Sequence, residues 1–117
     1  MIENKILLSI LIPTVEGREK EFAWLHMSLI TFYSGKEVEI LRIKDNKEMT
    51  IGQKREKLYQ MANGLYSWQI DDDDEIARNA IELILNAIKS NPEVSCITFK
   101  EKCIINGEYK SSNHSIK

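Results

Sequence analysis

The chain has 117 residues, 43% of them hydrophobic and 29% charged, with a formal net charge of −2. That composition fits a soluble globular domain with one small core and excludes a disordered chain. The slight acidic excess gives no global field for nucleic acid, and no apolar stretch approaches the length of a membrane span.

Residues 5–12 form a run of strand length, apolar from Ile6 to Ile12 except for Ser9. A run apolar on both faces suits a central parallel strand. Pro13 is expected to end it, because proline cannot donate to a sheet ladder, leaving 14–18 as a loop. The run is too short for a signal peptide, lacks a small-residue cleavage site and reads on into a charged helix. From Glu19 to Tyr33 the apolar residues Phe22, Leu25, Leu29 and Phe32 recur at helical spacing, and Ser34-Gly35 stops the helix. Val38 to Ile43 alternates as a strand nearer an edge, and 44–48 is a polar loop. Thr50 is placed to cap a helix over 51–62 with Leu58 and Met61 inward. Asn63-Gly64 closes it, and Leu65 to Ile70 follows as a strand that runs directly into Asp71-Asp72-Asp73-Asp74.

Asp73 or Asp74 is expected to cap a third helix, with Ile76, Ala80, Leu83, Ile84, Ala87 and Ile88 as one stripe and Asn91-Pro92 as its stop. Val94 to Phe99 reads as a strand, and Asn106-Gly107 as the type I′ turn of a hairpin between 102–105 and 108–110. Cys96 and Cys103 lack metal-site spacing and fall in apolar segments, so they read as buried free thiols in a reducing, cytoplasmic setting. Trp24 and Trp68 read as core, and His26 as a surface or boundary residue.

Alternating strands and helices predict a three-layer α/β domain with a mostly parallel sheet and a C-terminal hairpin. In such sheets ligands bind beyond the carboxyl ends of the strands. Three loops there would carry Thr14 and Glu16, Asp45, and Asp71 to Asp74, with Lys54 and Arg55 on the first turn of the second helix. Adjacent carboxylates repel, and a hard cation removes the cost; cationic side chains at a helix N-terminus suit phosphate. Together these residues point to a metal–nucleotide-diphosphate site. The plainer alternatives are an acidic helix start, a solvated face for Lys54 and Arg55 paired with Glu48 or Glu56, and an Asx turn at Asp45. No GxGxxG follows the first strand and no GxxxxGK[ST] is present, which argues against a dinucleotide fingerprint and a P-loop.

Ser9-Ile10-Leu11-Ile12-Pro13-Thr14, then residues 51–58 (IGQKREKL), then Ala62-Asn63-Gly64-Leu65-Tyr66, then 69–74 (QIDDDD), resemble in order and spacing the successive motifs of family 2 glycosyltransferases. The resemblance spans residues 5 to 100 and implies a Rossmann-like GT-A fold, here the half that binds a nucleotide-diphosphate sugar, with a UDP-sugar favoured. By that resemblance Pro13, Thr14, Val15 and Asp45 match positions that contact the base. Lys54 and Arg55 match the basic position near the diphosphate, Asp71 and Asp72 the ribose and sugar side, and Asp73 the ligand of Mn²⁺ or Mg²⁺. The implied reaction is sugar transfer to the hydroxyl of a glycan or other acceptor.

Val15-Glu16 stands where the family often has Tyr-Asn, and Glu56 where it often has Asn. Only about forty residues follow the aspartates, so residues 1–117 read as a single truncated or minimal domain without the acceptor half, and no catalytic base can be named. A non-catalytic nucleotide-binding or interaction module of the same fold is the alternative. A nucleotidyltransferase is a third reading, poorly matched by Gly17-Arg18.

Overall fold

The structure is a computed structural model; it describes residues 6–33, 35–72, 74–91, 94, 96–99 and 102–106, with side chains in the last two segments described only at Cys96, Ile97 and Ile104. The elements are β1 (Leu8–Val15), α1 (Glu19–Phe32), β2 (Val38–Asp45), α2 (Ile51–Met61), β3 (Tyr66–Gln69), α3 (Ala80–Ser90), β4 (Cys96–Phe99) and β5 (Lys102–Asn106). They form an α/β fold around one five-stranded sheet of order β2-β1-β3-β5-β4. β1 pairs in parallel with β2 and β3, while β5 runs antiparallel to both β3 and β4. Four of the five strands therefore point the same way.

The apolar run of β1 serves both faces of the sheet, as a strand with neighbours on either side requires. Leu8, Ile10 and Ile12 join Tyr66, Trp68 and Ile70 against Leu25 and Leu29 of α1 and Ile81, Ile84, Leu85 and Ile88 of α3. On the opposite face Leu11 packs with Leu58 and Ala62, beside Leu41 and Ile43. Helices thus cover both faces, α1 and α3 on one and α2 on the other.

Several sequence expectations are corrected. β1 does not stop at Pro13: it continues to Val15, with Pro13, Thr14 and Val15 in register with Ile43, Lys44 and Asp45. The Leu11 carbonyl accepts from Ile70 N–H on the β3 side. Alternate residues of a strand face the same neighbour, so the missing N–H of Pro13 falls where β3 has already ended and costs no ladder bond. β2 likewise runs on through Asp45, and as the terminal strand it has the edge position its alternation suggested. Met61 is 44% exposed and Leu83 49%, so neither points inward. The buried stripe of α3 is Ala80, Ile81, Ile84, Leu85 and Ile88.

The third helix starts at Ala80, not at the aspartates. An N-cap accepts from an N–H two or three residues ahead. Asp74 instead accepts, through Oδ2, from the Asp71 N–H behind it at 2.7 Å, while its own N–H donates to the Asp71 carbonyl at 3.1 Å. Asp71 and Asp74 are thereby tied to each other rather than to the first turn of α3.

The hairpin lies between β4 and β5, with Phe99 opposite Lys102, and β4 starts at Cys96 where Val94 was expected. Asn106, expected in a turn, pairs with Tyr66 as the last residue of β5. The second arm expected at 108–110 lies outside the described residues. Cys96 is disulfide-bonded and exposed, which removes the buried-free-thiol reading and the argument it gave for a reducing compartment. The only other cysteine, Cys103, is on β5, and its side chain is outside those described. No helix of the described residues is long and apolar enough to cross a membrane.

Candidate functional site at the carboxyl edge of the sheet

The chain leaves β1 toward β2 on one side, then returns across β1 to β3 on the other. Such a reversal opens a crevice beyond the carboxyl ends of the strands it separates, here between the segments following β1 and β3. Thr14, Asp45, Asp71 and Asp72 come to this one edge, with Lys54 and Arg55 above it on α2.

Two buried ties meet at Thr14. Its hydroxyl donates to Asp72 Oδ2 at 2.7 Å, and its carbonyl accepts from Lys54 Nζ at 3.0 Å. Asp72 also receives the fork of Arg18, from Nε at 3.1 and 3.0 Å and from Nη2 at 2.9 Å. Burial raises the pKa of Asp72, but the hydrogen bonds and charge of Arg18 and the Thr14 hydroxyl outweigh it and hold the carboxyl below its ordinary value. Lys54 Nζ also donates to Asp45 Oδ1 at 2.7 Å. The Lys54 bond, followed by that from Met49 N–H, lowers the pKa of Asp45. Asp45 accepts from Lys47 N–H as well, so the Asx-turn reading holds within a larger network.

The solvated-face alternative thus fails for Lys54, which is only 2% exposed and ties α2 to the ends of β1 and β2. Arg55 differs: it donates to Asp71 Oδ1 at 3.1 Å with both side chains nearly half exposed. Thr50 caps α2 as expected, in a reciprocal box with Gln53: each side chain accepts from the other's backbone N–H.

Pro13 and Thr14 are buried, while Val15, Asp45 and Asp71 are partly exposed and Arg55 is exposed. The predicted residues with surface to offer a ligand are therefore Val15, Arg55 and Asp71, with Asp45 only at its margin. Asp73, the expected metal ligand, lies outside the described residues. Among the described residues no three His, Cys, Asp or Glu side chains cluster as a cation site, and Asp71 and Asp72 direct their carboxylates to Arg55 and Arg18. The described donors do not by themselves fit a divalent metal.

Arg18 is the functional-edge residue that sequence reasoning missed. The φ of +95° at Gly17 turns the chain there, and Arg18 N–H donates back to the Val15 carbonyl at 3.2 Å. A cation one residue after such a glycine, facing an aspartate run, was the available signal. Trp24 is also misplaced by the sequence reading: it is 75% exposed, whereas Trp68 is core and His26 is a boundary residue stacked on Phe22. The chain matches no protein-family model and no curated protein.

Proposed function

We propose that residues 1–117 constitute a Rossmann-like, GT-A type domain that binds a nucleotide-diphosphate sugar and serves glycosyl transfer to an acceptor hydroxyl. The observation that carries this reading is the convergence of Thr14, Asp45, Arg55, Asp71 and Asp72 at the carboxyl ends of β1, β2 and β3, where strand order reverses. Arg55 supplies the accessible cation for the diphosphate, releasing Asp71 when it does so. Val15 and Asp45 face the base, and Asp71 the ribose. A divalent cation, Mn²⁺ or Mg²⁺, belongs to the proposal through Asp73 alone.

A second reading, a non-catalytic nucleotide-binding or interaction module, draws on a specific observation: Asp45, Asp71 and Asp72 are already satisfied by Lys54, Arg55 and Arg18 of the same chain. The experiment is thermal unfolding with UDP, with other nucleoside diphosphates, and with each in the presence and absence of Mn²⁺. A ligand that binds the native state raises the midpoint by mass action. A rise with UDP that grows with Mn²⁺ supports the donor site; a rise indifferent to metal supports the module. Absence of a shift with every nucleotide at millimolar ligand and metal refutes the donor site and a nucleotide-binding module, and leaves the interaction module alone.

A further inference from the structure

We infer, resting on the donor-site reading above, that Asp71 is an internal competitor for the diphosphate at Arg55: an autoinhibitory contact that lowers the affinity of this edge for an anion. The Arg55 guanidinium gives one hydrogen bond, from Nη2 to Asp71 Oδ1 at 3.1 Å, and the two side chains are 45% and 46% exposed. Carboxylate and phosphate oxygens call on the same planar fork of N–H donors, so Asp71 and an incoming phosphate contend for that nitrogen.

The competition is confined to this pair by burial. Lys54 and Arg18 also face carboxylates, but the Asp45 and Asp72 side chains there are only 9% and 8% exposed. Breaking either of those pairs strands a charge that water reaches poorly. Asp71 is instead rehydrated as it leaves. The main chain of Arg55 is held meanwhile, its carbonyl accepting from Gln69 Nε2 at 3.0 Å, so release is a side-chain rotation on a fixed turn of α2. The displaced carboxylate stays near the anion that replaced it, and like charges repel. The anion therefore meets two costs: the lost partner of Arg55 and a negative neighbour. Because the pair is half exposed, solvent screens both, and together they amount to about two- to fivefold in affinity.

The probe is inorganic pyrophosphate, which has no ribose or base for Asp71 to meet. It is titrated by calorimetry into the metal-free and nucleotide-free chain at low ionic strength. Asp71→Asn is expected to bind it about two- to fivefold more tightly than the parent, and Arg55→Gln more weakly. In the Arg55→Gln background the gain from Asp71→Asn is expected to shrink, which separates competition for Arg55 from a general change of charge. Both side chains are nearly half exposed, so the variants are expected to fold, which circular dichroism checks. Equal or weaker binding by Asp71→Asn overturns the competitor role. So does an undiminished gain in the Arg55→Gln background, or no binding by either parent or Asp71→Asn at millimolar pyrophosphate. A nucleotide that raises the unfolding midpoint of the parent, with no gain for pyrophosphate in Asp71→Asn, removes the competitor and leaves the donor site standing. The donor site itself is refuted by its own assay, when no nucleotide shifts that midpoint.

Discussion

Asp72→Asn separates a carboxylate that holds the fold together from one kept for a ligand. In the native chain the carboxylate takes three hydrogen bonds from Arg18 and one from the Thr14 hydroxyl, all between 2.7 and 3.1 Å. Asparagine keeps one oxygen for Thr14, turns an amide toward the guanidinium and removes the charge. Hydrogen bonds to charged groups are worth about 1.5–3 kcal/mol when buried, and exposed ion pairs about 0–1 kcal/mol. The Asp72 side chain is 8% exposed and that of Arg18 38%, so the pair lies between these limits. The expected loss is about 1–3 kcal/mol of stability at neutral pH.

The pH dependence gives an independent sign. The folded-state pKa of Asp72 lies below the ordinary 3.8. Its contribution is therefore complete above that value and is lost as pH falls through the lower, folded-state value. Asparagine does not titrate, so the gap between parent and variant should be constant near neutrality and close in acid. Urea unfolding of both proteins, stepped from neutral to acidic pH, measures it. Equal stability at neutral pH, or a gap that widens in acid, would refute the view that this carboxylate fastens β3 to the segment after β1.

Lys54→Met should cost more stability than Arg55→Ala at neutral pH, because Lys54 is buried between Asp45 and the Thr14 carbonyl while the Arg55–Asp71 pair is half exposed. For Arg55→Ala the expected loss is about 0–1 kcal/mol, and urea midpoints of the two variants rank them. On α3, Ile84→Ala should cost about 2–5 kcal/mol, whereas Leu83→Ala should change stability by no more than about 0.5 kcal/mol. Denaturation of that pair checks the direction of the buried stripe.

The sequence made the sheet legible where one residue type had one physical use. The two-faced apolar run of β1 and the strand entering the aspartates belong to a parallel β2-β1-β3 unit, with the Thr50 cap on α2, as expected. It was ambiguous where two patterns overlap. On α1, Leu25 and Leu29 share a face, but Trp24, Met27 and Ile30 repeat with nearly the same spacing, and only packing shows which set faces the sheet. The β4–β5 connection falls at Lys100-Glu101, which carries no turn residue, so Asn106-Gly107 drew the prediction instead. At the aspartates, composition indicates charge but not which N–H a carboxylate meets. Asp74 bonding backward to Asp71 is a three-dimensional fact.

The ion pairs at the edge also determine which groups a ligand can recruit. On the proposed reading a diphosphate arriving there would meet three cations already engaged, and what each release costs follows its burial. Freeing Lys54 would leave the Thr14 carbonyl without its buried donor and the Asp45 carboxylate without its countercharge, held only by the Met49 and Lys47 N–H groups among the described residues. Freeing Arg18 would strip Asp72 of its fork and its countercharge, with the Thr14 hydroxyl still donating. Freeing Arg55 returns Asp71 to solvent that both side chains already touch, and the Gln69 amide still donates to the Arg55 carbonyl, fixing that turn of α2. On the proposed reading an anion would therefore exchange with Asp71 for Arg55 before it disturbed the other two pairs. Under the proposed donor-site reading, Lys54 and Arg18 would hold the edge together and Arg55 would be the cation that changes partners.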